Sequence, residues 1–106
     1  MTSLQQLFRP GSIAIVGASD QPDRPGEAFF QGLLAMGFGG PIYPIARRDG
    51  TMFDRPVYTR LNVVPGPVDY VISCIPAPQI PDLMRDCAAK EVGLVHLFTA
   101  DFGETG

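Results

Sequence analysis

Uncharged and mostly apolar residues fill the stretch Ser12-Ile-Ala-Ile-Val-Gly-Ala-Ser19. Ile13, Ile15 and Val16 are β-branched, and together they predict a strand over Ser12–Val16 covered on both faces. Gly17 comes where that strand ends. Without a Cβ, the backbone there can turn sharply or let a ligand approach the main chain. The loop Ala18–Pro25 is polar and carries two prolines. From about Gly26 to Met36 the pattern changes period. Phe29, Phe30, Leu33 and Leu34, with Phe38 beyond, lie on one helical stripe. Gly37, or the pair Gly39-Gly40, ends that helix in the usual C-cap place. A helix entered from such a loop points free N–H groups and its positive dipole end at whatever lies over the loop, a natural anion site.

The rest of the chain repeats this alternation. Leu4, Leu7 and Phe8 predict a short first helix over Thr2–Phe8, capped by Ser3 or Thr2. Pro41–Ile45 reads as the second strand, and its prolines suit a strand end or an exposed edge better than a central position. Ala46–Arg55 reads as a loop carrying Arg47 and Arg48, and Pro56–Thr59 as a short third strand. Leu61–Pro67 is a connection broken by Pro-Gly-Pro. Val68–Ile75 is a strongly apolar strand. After the turn Pro76-Ala-Pro78, a helix runs from about Gln79 to Lys90. Its buried face carries Ile80, Leu83, Met84, Cys87 and Ala88; its wet face carries Asp82, Arg85, Asp86 and Lys90. Prolines 78 and 81 are tolerated because the first turn has no intrahelical N–H bond to lose. Gly93–Phe98 is the last strand, and Thr99–Gly106 a polar loop.

Strands alternating with helices predict an α/β fold: a Rossmann-like three-layer sandwich with a mostly parallel sheet and right-handed crossovers. With 106 residues, one domain over residues 1–106 is the expectation. The chain stops in a loop where such a domain ordinarily continues with another helix and strand. The reading is therefore a domain truncated at its C-terminal end, or one module of a longer protein. In such sheets the ligand crevice lies outside the carboxyl ends of the strands. Four segments should meet there: Gly17–Gly26, Ala46–Arg48, Pro76–Pro78 and Thr99–Glu104.

Composition narrows the chemistry. Hydrophobic residues make up 45%, enough for a core. Net charge is −3 with no basic run, which argues against a nucleic-acid surface. No apolar run reaches membrane-spanning length, and no signal-peptide pattern opens the chain. Two cysteines, Cys74 in a core strand and Cys87 on a buried helix face, lack metal spacing. They read as reduced core residues of a cytoplasmic protein. His96, flanked by Val95 and Leu97, reads as a structural histidine in a buried strand. Asp20, Asp23 and Glu27 form no metal site, since no second ligand cluster supports them.

The phosphate chemistry remains. A dinucleotide fingerprint needs Gly-x-Gly-x-x-Gly after the strand. The run Gly17-Ala-Ser-Asp-Gln-Pro22 keeps only the first glycine. The second strand ends Ile45-Ala-Arg-Arg48, with no acidic residue for an adenosine ribose. Those arginines suit a phosphate-bearing ligand other than NAD; NADP is the weaker option. A Gly-Lys-Ser/Thr phosphate loop is absent. Plainer readings stand beside these. Gly17 can serve the turn alone, Ser19 can bond its own loop, Arg47 and Arg48 can be a solvated pair, and Pro76 and Pro78 can merely shape a turn.

Leu7-Phe-Arg-Pro-Gly-Ser-Ile-Ala-Ile-Val-Gly-Ala-Ser19 resembles the opening of the CoA-binding domain of nucleoside-diphosphate-forming acyl-CoA synthetases. It is also similar to the amino-terminal domain of the succinyl-CoA ligase alpha subunit. The likeness continues through Gly26, Gly37-Phe-Gly-Gly-Pro-Ile-Tyr-Pro44, Val68-Asp-Tyr-Val-Ile, Ile75-Pro-Ala-Pro78 and Thr99–Gly106. The resemblance implies a Rossmann-like module that binds coenzyme A and is not catalytic alone. Its partners would be further domains or a subunit of an acyl-CoA synthetase. It implies a CoA groove lined by Gly17, Ala18 and Ser19, with Gly26, and by Ile75, Pro76 and Ala77. Arg48 or Arg47 would meet a CoA phosphate, and the Thr99–Phe102 stretch, with Thr99 and Ala100, would lie near the pantetheine arm. The chain departs from the family in having Ala46-Arg47-Arg48 for Asn-Pro-Lys, and Asp101 for a small residue. An NADP-binding oxidoreductase fragment, or a regulatory domain that has lost its ligand, are the competing readings.

Overall fold

In the computed structural model, which describes residues 11–98, ten short elements follow one another along the chain. They are β1 (Ile13–Val16), α1 (Pro25–Ala35), β2 (Ile42–Ile45), β3 (Thr51–Met52), β4 (Arg55–Pro56), a 3-10 turn (Leu61–Val63), β5 (Tyr70–Ser73), a second 3-10 turn (Ala77–Gln79), α2 (Ile80–Ala89) and β6 (Leu94–Leu97). The main sheet has the order β2-β1-β5-β6, and every pairing in it is parallel. The expected first helix over residues 2–8 and the loop over 99–106 lie outside the described residues.

β1 is central, as its uncharged β-branched run requires. Ile13 pairs with Ile42 on one side and Tyr70 on the other; Val16 pairs with Ile45 and Ser73. The pleat sends alternate residues to opposite faces. Ile13 and Ile15 pack with Phe30 of α1, Ile42, Met52 and Ile72. Ala14 and Val16 pack with Leu61, Val64, Val71 and with Leu83 and Cys87 of α2. One helix thus covers each face, and the Rossmann-like three-layer sandwich is the fold.

The helix ends follow their sequence signals. Pro25 occupies the first turn of α1, where its missing N–H costs nothing. At the other end Gly37 has φ +76°, and the Gly37 and Phe38 N–H groups donate to Leu34 and Leu33 carbonyls at 3.1 Å. This left-handed residue closes the helix as a glycine C′ does. β2 is an edge strand, as its prolines predict. The carbonyl of Pro44 accepts from the Tyr58 N–H at 2.9 Å, so the segment after β4 lies along the outer side of β2 through an Ile45–Tyr58 bridge.

Four expectations are corrected. Met84 and Ala88, expected on the buried face of α2, are exposed, because the stripe of Leu83 and Cys87 faces the sheet. The loop over residues 46–55 and strand over 56–59 are instead an antiparallel hairpin of β3 and β4, with Thr51 opposite Pro56 and Met52 opposite Arg55. Its turn residues, Phe53 and Asp54, both have positive φ, 52° and 64°. That is the mirror-image turn that fits hairpin twist, here without glycine. Phe53 is held in place by stacking on Phe30, ring centroids 4.5 Å apart, while Arg55 donates to the Phe53 carbonyl at 2.8 Å. His96 is exposed, because β6 is the edge strand of the described sheet; its ring lies 6.4 Å from that of Phe29. Cys74 falls just past β5 and is half-buried, whereas Cys87 is buried as expected.

Candidate functional site

The parallel strands β1, β2 and β5 all end at the same side of the sheet, and a groove of about 870 Å³ opens there. Its floor is the turn after β1. Gly17 has φ +83°, a left-handed conformation that glycine adopts freely. The Gly17 and Ala18 N–H groups both donate to the Ile45 carbonyl, at 2.9 and 3.1 Å, and tie the turn to the end of β2. The Cys74 N–H donates to Val16 at 2.7 Å and ties β5 to the same point. A Cβ on Gly17 would stand 2.9 Å from the Cys74 carbonyl oxygen. The turn therefore needs glycine for its fold.

The structure sorts the residues expected at the site. Gly17, Ala18, Ser19, Arg47, Ile75 and Pro76 line the groove together. Ser19 Oγ accepts from the Gln21 N–H at 2.9 Å, so the loop-bonding reading of Ser19 is observed alongside its place on the groove wall. Gly26 does not line the groove; it packs behind the turn, where its lack of a side chain lets α1 approach. Ala77 is also off the lining and opens the 3-10 turn before α2. Thr99, Ala100 and Asp101 lie outside the described residues.

The two adjacent arginines go separate ways. Arg47 is exposed and lines the groove. Arg48 is off the lining; its guanidinium pairs with Asp20 at 3.0 Å and donates to the carbonyls of Asp49 and Thr51 at 3.1 and 3.3 Å. Four further polar residues line the groove: Gln21 and Arg24 lie within the expected Gly17–Gly26 segment without having been singled out, and Thr59 and Gln79 lie outside every expected segment. Arg24 had a signal, since it stands immediately before Pro25 at the start of α1. Thr59 had none, because only the fold of the segment after β4 along β2 brings it to the groove.

The lining holds two arginines, hydroxyls, amides and the Cys74 thiol, and among the described residues no carboxylate or histidine. Burial pushes the Cys74 thiol up to about 11, so it is protonated at neutral pH. In a chain of net charge −3, Arg24 and Arg47 make this lining locally positive, which suits an anion. A smaller space of about 420 Å³ continues the groove past Arg47, Thr59 and Ile75. Arg60 and Asp86 wall it with an ion pair of 2.7 Å, and the Asp82 carboxylate also lines it. No cluster among the described residues could hold a metal ion, and no described helix is long and apolar enough to cross a membrane.

A parallel Rossmann-like sheet with a cationic groove at its carboxyl edge is the class these features define. The family described as CoA binding domain matches residues 11–104, and the chain belongs to it. The chain is 33% identical over 108 residues to the alpha subunit of ADP-forming acetate–CoA ligase I from Pyrococcus furiosus, covering 98% of this chain and 23% of that protein. It is 31% identical over 103 residues to a trans-feruloyl-CoA synthase of an unknown prokaryotic organism, covering 97% of this chain and 15% of that protein. Among solved structures, the dinucleotide-forming acetyl-coenzyme A synthetase 1 of Ca. Korarchaeum cryptofilum, in complex with phosphate and ADP, superposes with a TM-score of 0.88. The two are 32% identical, and the match covers 100% of this chain and 23% of that one. The chain spans less than a quarter of the length of these relatives.

Proposed function

We propose that the chain is the coenzyme A-binding module of a nucleoside-diphosphate-forming acyl-CoA synthetase. Coenzyme A lies in the groove at the carboxyl ends of β1, β2 and β5. The observation that carries this reading is the groove lining, which offers two arginines and no carboxylate beside a glycine turn, within a chain of this family. Gly17, Ala18 and Ser19 receive the diphosphate over the turn, where related sheets place it. Arg47 reaches the phosphate on the ribose side, and Ile75 and Pro76 form the opposite wall against the pantetheine arm.

In this reading the chain does not catalyse alone. Relatives whose names describe the joining of acids to CoA are several times longer than this chain. Further domains or a second subunit supply the nucleotide and phosphoryl chemistry. The module works in the cytoplasm, which suits free Cys74 and Cys87. Titration calorimetry with coenzyme A and with NADPH tests the reading. Saturable binding of coenzyme A, tighter than NADPH, is expected. Tighter binding of NADPH, or no heat with coenzyme A, would overturn it.

A further inference from the structure

The described cations differ in what occupies them. Arg48 is taken by Asp20, Arg60 by Asp86 and Arg85 by Asp82. Arg55 donates to the Phe53 carbonyl and lies over the Phe30 ring, and Lys90 donates to the Val64 carbonyl at 2.8 Å. Arg24 and Arg47 alone, among the described residues, have side chains with no hydrogen-bond or ion-pair partner. Both line the groove. Both are exposed, and Arg24 is left unpaired although Asp23 stands beside it and Glu27 three residues on.

The backbone at Arg24 is fixed while its side chain is free. Arg24 is the N-cap of α1 in extended conformation, and no side-chain bond caps the helix there. Its carbonyl accepts from the Glu27 and Ala28 N–H groups at 3.1 and 3.2 Å, and Pro25 follows at the first helical position. Its own N–H donates to the Gln21 carbonyl at 3.3 Å. The main chain thus holds the position, and among the described residues the guanidinium has no partner. A guanidinium's planar fork matches phosphate oxygens.

We propose that Arg24 is a second phosphate-binding residue of the groove, gripping the diphosphate of the ligand while Arg47 takes the separate phosphate on the ribose side. The assignment follows the elements. Arg24 belongs to the loop that leaves the Gly17 turn, over which the diphosphate lies in sheets of this kind; Arg47 follows β2, on the ribose side. The inference rests on the coenzyme A reading.

Calorimetry with coenzyme A and dephospho-coenzyme A tests it, because both carry the diphosphate and only the first carries the ribose phosphate. Arg24→Ala should weaken both ligands by the same factor, on the order of tenfold. Arg47→Ala should weaken coenzyme A by a similar factor and leave dephospho-coenzyme A unchanged. Arg24→Lys should fall between the parent and Arg24→Ala, and its unchanged melting temperature would separate binding from folding. If the parent binds coenzyme A and Arg24→Ala binds both ligands as the parent does, Arg24 is a solvated residue and the inference falls while the coenzyme A reading stands. Loss confined to coenzyme A in Arg24→Ala would also overturn the assignment. A parent that binds neither ligand would overturn the reading beneath it.

Discussion

Gly26 approaches Gly17 so closely that a Cβ on Gly26 would lie 2.2 Å from the Gly17 carbonyl oxygen and 2.9 Å from the Ala18 Cα. Backbone meets backbone at that point, so no side-chain rotation can relieve a substitution. The first turn of α1 is thereby packed directly onto the turn that forms the groove floor. Gly26→Ala must push the helix away from the turn. It should lower stability by about 1–3 kcal/mol or more, as overpacking does, and weaken coenzyme A binding with it. Gly32, in the same helix, offers the control. A Cβ there meets nothing within 4 Å, so Gly32→Ala should stabilise, by about 0.5–1 kcal/mol. Urea denaturation of both variants reads the two signs. A neutral Gly26→Ala would mean that the contact yields easily.

The sheet, both long helices, the edge position of β2 and the groove at the carboxyl ends of the strands were legible in the sequence. Each of them rests on a local signal: β-branched runs, helical stripes, and glycine or proline at the element ends. The hairpin was not legible, because a mirror-image turn normally announces itself by Asn-Gly or Asp-Gly. Here Phe53 and Asp54 adopt it, and the stabilising contact is the Phe53–Phe30 stack, some twenty residues distant along the chain. Exposure of His96 was missed for a related reason. Apolar neighbours signal a strand, but only strand order says whether that strand lies at an edge. The division of labour between Arg47 and Arg48 was likewise invisible, since it depends on where Asp20 stands.

That division is itself testable. Both side chains of the Arg48–Asp20 pair are about two-fifths exposed, 42% and 43%. Such pairs contribute roughly 0–1 kcal/mol. Arg48→Ala should therefore shift the unfolding midpoint little and leave coenzyme A affinity near that of the parent. Arg47→Ala should leave stability alone and weaken coenzyme A by about tenfold. Titration calorimetry with parallel melting curves measures both. The opposite ranking of affinities would show that the Asp20 pair opens on binding and that Arg48 grips the phosphate.

Cys74 and Cys87 set a pH dependence. Burial pushes both thiols up to about 11 from 9.0, with the Asp86 carboxylate adding to the effect at Cys87. The folded chain holds these protons to higher pH than the unfolded chain does. Stability contributed by this difference is fully present below pH 9.0 and is lost as pH rises toward about 11. Urea denaturation in reductant across that window should show a decline in the parent. The decline should be smaller in the double variant Cys74→Ala with Cys87→Ala. Equal declines would mean that the thiols titrate alike in both states.

Coenzyme A is proposed to lie over the Gly17 turn, at the carboxyl ends of β1, β2 and β5. Amide chemical shifts followed by NMR as coenzyme A is added to isotope-labelled protein test it most directly. Saturable shifts concentrated at Gly17, Ala18, Ser19, Arg24, Arg47 and Ile75 are expected. Residues of the hairpin turn, Phe53 and Asp54, and of α2 beyond Leu83 should scarcely move. Saturable shifts confined to the hairpin or to β6, with the Gly17 turn unmoved, would contradict it.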